Sequence, residues 1–198
     1  GFSYLLLPNV GTQITDYLTN VQSAIPNDEI VSLWAGGNDF LYGSANANII
    51  ATNMEAHIRQ LANSGAEEFI IPNLPPLELT PEISSRSQSQ QTAIGQEVIL
   101  YNQKLASLIT NLTAELGITV HSIDAWSIFN KILQNKQSLG LTNTQDAACS
   151  GGVSLLPLPI CNSGDTIAPN VDEYLFFDKA HPTRVMHRFI AQFAIEAI

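Results

Sequence analysis

Basic residues are scarce in this chain: four Lys and four Arg stand against eighteen acids, for a net charge of −10. Such a balance leaves no electrostatic footprint for nucleic acid or anionic lipid and favours neutral substrates. Long apolar runs are missing as well. No stretch of ~18 such residues exists, so nothing is expected to span a membrane. Cysteine is limited to Cys149 and Cys161, with no Cys/His cluster around them, which argues against a zinc site and leaves either a disulfide pinning a loop or two free thiols. The disulfide is the reading adopted. An initiator Met and a signal-like stretch are both absent at Gly1, so the sequence is expected to be processed, trimmed or a fragment.

Hydrophobic residues make up 45% of the 198 positions and charged residues 13%, enough to bury a core within one domain over 1–198. Asn111-Leu112-Thr113 is an acceptor triplet for N-glycosylation. Together with the cysteines it points to a secreted protein.

Apolar runs alternate with longer periodic stretches, the pattern of an α/β fold. Helices are expected over Ile14 to Val21, Asn48 to Asn63, Gln91 to Leu116 and Ala125 to Gln134, with a closing helix opened by Pro182. In that last helix Val185, Met186, Phe189, Ile190, Phe193 and Ala197 share a face. Strands are expected at Glu29 to Ala35, Glu68 to Pro72 and Ile118 to Ile123, the first as a buried strand, with Tyr4 to Leu7 as a further short candidate. Pro75 and Pro76 force a loop after the second. Gln137 to Tyr174 reads as irregular.

Chemistry concentrates in two places. Asp178 and His181 stand three residues apart beside the closing helix, and a histidine becomes a useful general base when a carboxylate orients its ring. Two other expectations attach to the pair: Asp178 as a helix cap, and an imidazole pKa lowered by the nearby helix N-terminus. The second place is Trp34-Ala35-Gly36-Gly37-Asn38-Asp39-Phe40 after an apolar run. Asn38 is either a turn residue or an amide donor to a developing oxyanion, Gly36 and Gly37 let the backbone approach a substrate closely, and Asp39 braces the turn. His57, His121 and His187 form no metal-ligand spacing, and no metal or cofactor is assigned. Lys179, Arg184 and Arg188 read as a solvated face or as help for an anionic intermediate. Leu155 to Ile160 reads as an acyl pocket or as a loop packed under the disulfide.

Gly-Gly-Asn-Asp-Phe (Gly36 to Phe40), Ile70 to Leu77 and Asp-Lys-Ala-His-Pro-Thr (Asp178 to Thr183) resemble the GDSL, or SGNH, family of esterases and lipases. The resemblance implies a three-layer α/β sandwich with a parallel, flavodoxin-like sheet and ester hydrolysis through a serine acyl-enzyme. It assigns His181 as base, Asp178 as its orienter and Asn38 to the oxyanion hole. Substrates would be small, lipid or polysaccharide esters. The family's serine sits in a Gly-Asp-Ser-Leu turn after its first strand, and no Gly-Asp-Ser occurs here. Ser3 and Ser150 are poor substitutes. The chain is therefore expected to begin near the family's second block, without the amino-terminal strands. It would then either receive its serine from a separate amino-terminal segment, or keep the fold as an inactive protein that binds a glycan or lipid.

Overall fold

The computed structural model describes residues 8–43, 46–150, 161 and 164–197. Ser3, the Tyr4 to Leu7 strand and the Leu155 to Ile160 pocket lie outside the described residues. In chain order the elements are α1 (Val10–Asn20), β1 (Ile30–Ser32), α2 (Gly37–Tyr42), α3 (Ala47–Asn63), β2 (Glu68–Pro72), a 3-10 turn (Leu77–Leu79), α4 (Pro81–Ser84) and α5 (Gln88–Leu116). After these come β3 (Thr119–Ile123), α6 (Ala125–Gln134), β4 (Asn143–Ala147), β5 (Cys149–Ser150), β6 (Thr166–Ile167), a second 3-10 turn (Val171–Glu173), β7 (Tyr174–Phe176) and α7 (Arg184–Ala197). The chain divides into two compact units, Gly1–Leu74 with Gln96–Asp124, and Pro75–Gly95 with Ala125–Ile198.

The first unit is built on a parallel sheet in the order β1-β2-β3, with Ile30 opposite Glu68 and Glu68 opposite Thr119. Parallel neighbours need long crossovers, and helices supply them. Helix α3 buries Ile50, Met54, Ile58 and Leu61, and α5 buries Val98, Tyr101, Leu105 and Leu112, each at the three-to-four-residue spacing that stacks side chains on one face. The central strand β2 buries Phe69 and Ile71. Asn9 starts α1 by accepting from the Thr12 amide at 2.9 Å, which moves the helix start ahead of the expected Ile14.

One expectation fails here. The Glu29 to Ala35 run is apolar, but it forms only the three-residue β1, and Ile30 and Trp34 are 45% and 40% exposed. The reason is position: among the described residues β1 pairs with β2 alone and is an edge strand.

The second unit holds the parallel pair β4–β7, the antiparallel pair β5–β6, and helices α6 and α7. The Gln137 to Tyr174 stretch is thus not wholly irregular. Its strands went unread because Asn-Thr-Gln-Asp-Ala and two-residue pieces carry no apolar alternation. Phe129 of α6 packs against Phe176 of β7 with ring centroids 5.9 Å apart. Cys149 and Cys161 are joined in a disulfide. Helix α7 begins at Arg184, two residues later than expected, because Pro182 is held in a bridge to Phe176. Of the face expected to be buried, Met186 is fully buried and Val185, Phe189 and Ile190 are half-buried, while the side chains of Phe193 and Ala197 lie outside the described residues. No helix among the described residues is long and apolar enough to cross a membrane.

Candidate active site

In the second unit β7 runs into the loop Phe177-Asp178-Lys179-Ala180-His181. The loop closes on itself: the Phe177 amide donates to the His181 carbonyl at 2.8 Å, and the Thr183 amide returns to the Leu175 carbonyl at 3.0 Å. Thr183 is buried, and its hydroxyl donates to the Tyr174 carbonyl at 2.9 Å. Two neighbours hold the loop from outside. The Cys149 amide donates to the Phe177 carbonyl at 2.7 Å, and the Glu82 amide of α4 donates to the Lys179 carbonyl at 2.9 Å.

Inside the loop lies a carboxylate with several bonds. Asp178 Oδ1 accepts from the Ala180 and His181 amides at 2.9 and 2.7 Å, and His181 Nδ1 lies 2.9 Å from Oδ2. The Asp178 side chain is 7% exposed and that of His181 58%. Asp178 therefore caps no helix; it folds its own loop and grips the ring. A proton on Nδ1, facing the carboxylate, leaves Nε2 as the basic nitrogen. Burial pushes the Asp178 carboxyl up, but the hydrogen bonds from His181 and the two amides outweigh it and hold the group below its ordinary value. The same bond to Asp178 raises the His181 imidazole above its ordinary value, against the opposing effect of burial. The expected lowering by the helix N-terminus is overturned, because a carboxylate in contact outweighs a helix end.

In the first unit the Gly36-Gly37-Asn38-Asp39 stretch is the start of a helix rather than a free turn. Gly36 precedes α2 with a left-handed φ of 101°. Phe40 and Leu41 are buried and anchor the short helix, whereas Asn38 is exposed on its first turn. Tyr101 of α5 supports this corner: its hydroxyl donates to the Ala35 carbonyl at 3.4 Å, and its ring meets Phe40 edge-on at 5.9 Å. The end of β2 is held similarly. Asn102 accepts from the Leu74 amide and donates to the Leu74 carbonyl at 2.9 and 2.8 Å, and Trp34 Nε1 donates to the Asn73 carbonyl at 3.1 Å. Sequence reasoning missed Tyr101 and Asn102 as supports. The available signal was a polar Asn beside the inward register of α5.

The remaining candidates lie as follows. Arg184 pairs with Asp172, and Lys179 and Arg188 are exposed. Ser150 sits in β5 opposite Thr166. His121 bonds Glu68 across the sheet at 2.7 Å, and His57 is half-buried on α3, its pKa lowered by burial. His187 is exposed on α7. Among the described residues Cys149, Cys161 and Asp165 place metal-ligand atoms together, but the two sulfurs are bonded to each other and offer no thiolate.

The family model of GDSL-like lipase/acylhydrolase matches residues 6–194. The chain belongs to this family. It is 26% identical over 202 residues to a thermolabile hemolysin of Vibrio parahaemolyticus, covering 98% of this chain and 48% of that protein. It is 27% identical over 160 residues to a GDSL esterase/lipase of Arabidopsis thaliana, covering 75% and 44%. With a phosphatidylcholine-sterol acyltransferase of Aeromonas hydrophila it shares 25% identity over 226 residues, covering 96% and 66%. The first two of these relatives are about twice as long as the stretch matched here. A crystal structure of a lipolytic G-D-S-L family member from Veillonella parvula superposes with a TM-score of 0.52 at 15% identity, over 96% of this chain and 74% of that one. The GDSL fold, an α/β architecture with a parallel sheet, is therefore the fold of this chain.

Proposed function

We propose that this GDSL-family chain carries the base and oxyanion-binding parts of a secreted ester hydrolase that works through a serine acyl-enzyme. The observation that carries the reading is the Asp178–His181 contact at 2.9 Å on a loop tied down at both ends. On this reading Nε2 of His181 takes the proton of a serine hydroxyl as its oxygen attacks the ester carbonyl carbon. The Asn38 amide, assigned by its place in the family motif, and backbone N–H groups donate to the oxyanion. Gly37 keeps the backbone open beside it, whereas Gly36, expected to do the same, is a glycine for packing: a side chain there would meet Ile50 and Tyr101. The bond to the alcohol then breaks, and His181 returns the proton to that oxygen. Water enters by the same route in reverse and releases the acid. Asp178 stabilises the imidazolium in both steps. No cofactor takes part.

The serine itself is proposed to come from a Gly-Asp-Ser-Leu turn on a separate amino-terminal segment. Support comes from the absence of that triplet in the sequence and from the exposed apolar edge at Ile30 and Trp34. Secretion is supported by the disulfide, which persists in oxidising compartments. The same absent triplet favours a second reading, a binding protein that keeps the fold without the reaction. A fluorophosphonate probe separates the two. The esterase reading expects a full-length protein labelled at a Gly-Asp-Ser serine, with labelling and nitrophenyl ester hydrolysis lost in His181→Ala. No labelling and no hydrolysis by the full-length protein would leave only the binding role.

A further inference from the structure

The sequence contains one Asn-x-Ser/Thr triplet, Asn111-Leu112-Thr113, and it lies on α5 with Asn111 and Thr113 both exposed. Its surroundings are more specific than the triplet. Asn111 is the last member of a stripe on α5, Leu100, Gln103, Lys104, Ser107, Leu108 and Asn111, that faces a stripe on α3 across an open groove of about 470 Å³. The α3 side is Asn48, Ala51, Thr52 and Glu55. The volume falls within the roughly 300–1,000 Å³ of small-molecule sites.

The two helices run in the same direction beside this groove. At one end the Ala47 amide donates to Glu97 at 2.8 Å. At the other Arg59 makes two bonds to Glu115, at 2.6 and 2.8 Å, and a third to Glu55. The groove is thus held open by bonds at both ends, and its Glu55 charge is already engaged by Arg59. Lys104 adds one positive charge to the α5 wall, and the rest is neutral: amides and hydroxyls from Asn48, Thr52, Gln103 and Ser107, with apolar surface from Leu100 and Leu108. That mixture suits a sugar, whose hydroxyl and acetamido groups need hydrogen-bond partners while its C–H face needs apolar cover.

We propose that Asn111 carries an N-linked glycan whose first N-acetylhexosamine units lie along the α3–α5 groove. The disulfide supplies an independent pointer, because the oxidising compartment that sustains it is also the one in which such glycans are added. The donor is a lipid diphosphate-linked oligosaccharide. The Asn111 Nδ2 forms the new bond to C1 of the reducing-end sugar as the C1–O bond to phosphate breaks. The lipid diphosphate leaves with that electron pair, and the amide gives up one proton to the transferase. Transfer precedes folding, while the triplet is still extended; the groove then receives the sugar as α5 forms.

The test uses the full chain secreted from a glycosylating eukaryotic host. Wild-type protein is expected to exceed its polypeptide mass by one glycan, to lose that excess with peptide N-glycosidase, and to show Asp at position 111 afterwards. Asn111→Gln and Thr113→Ala are both expected to lack the excess. Unglycosylated wild-type protein, or an excess retained in Asn111→Gln, overturns the site. For the groove, release from folded wild-type protein is expected to be several-fold slower than from denatured protein, and Gln103→Ala with Thr52→Ala is expected to remove most of that protection. Equal release from folded and denatured wild-type protein overturns the seating in the groove.

Discussion

Two adjacent glycines precede and open the helix that bears Asn38, and the same substitution should act on them in opposite senses. Gly36 has a φ of 101°, and a Cβ built there meets the Ile50 Cγ2 methyl at 3.0 Å and the Tyr101 ring at 3.5 Å. A left-handed L-residue costs about 1–2 kcal/mol. Forcing a methyl into a packed corner costs about 1–3 kcal/mol more. Gly36→Ala should therefore destabilise the protein by about 2–5 kcal/mol, a large share of a folding free energy of roughly 5–15 kcal/mol. Gly37 is the first residue of α2, and a Cβ there has its nearest neighbour, Leu74 Cδ2, at 4.0 Å. Gly37→Ala relieves the entropic cost of glycine in a helix, worth up to about 1 kcal/mol, and should be neutral or stabilising. Urea denaturation of the two variants at one pH reads both numbers. Equal effects at the two positions, or a harmless Gly36→Ala, would show that this corner is not held as described.

NMR titration of His181 should give a value above the ordinary histidine ~6.5, and Asp178→Asn should bring it down. Because the folded value is raised, the pair's stabilising effect is fully present below ~6.5 and is lost as pH rises through the folded value, while the free-base form that the proposed hydrolysis requires grows over the same rise. For Asp178, held low, the stabilisation is present above the ordinary Asp value of ~3.9 and is lost as pH falls through its depressed folded value. Glu78 is displaced upward by burial, with Oε2 buried and lacking a hydrogen bond and its carboxyl carbon close to Gly95. Its sign is the reverse of the usual carboxylate: stability falls as pH rises from the ordinary Glu value through the raised one, so Glu78→Gln should flatten that slope and raise the urea midpoint at neutral pH. Replacing Cys149 and Cys161 together by Ala should cost about 3 kcal/mol, since the bridge closes a loop of 12 residues' separation, and should be read by thermal denaturation.

The sequence declared its long elements well because helical periodicity over many residues is a strong signal. Helix α6 and strand β2 lie where the spacing put them, and α3 begins one residue earlier. Short strands fared worse. In β4 and β5 the residues are polar or few, and tertiary pairing to β7 and β6 makes them strands. Apolar content misled at β1, where Ile30 and Trp34 sit on an edge that only pairing can reveal. For the candidate site, the three-residue spacing of Asp178 and His181 made their contact legible, but the supports of that loop and of the Asn38 helix were not. The roles of Asn102, Tyr101 and the Glu82 amide depend on residues distant in sequence, and no local pattern encodes them.

The spacing of Asp178 and His181 has a stereochemical reason. One carboxylate satisfies the amides two and three residues ahead and reaches the imidazole of the third. The Asp178–His181 contact is thus a measure of how far one aspartate can reach along its own backbone, within a loop that the Cys149 and Glu82 amides hold from outside. Asp178→Ala would unmake the loop along with the charge, whereas Asp178→Asn keeps an oxygen for the two amides and so the loop, while its N–H turned toward Nδ1 changes the charge and the ring's tautomer together.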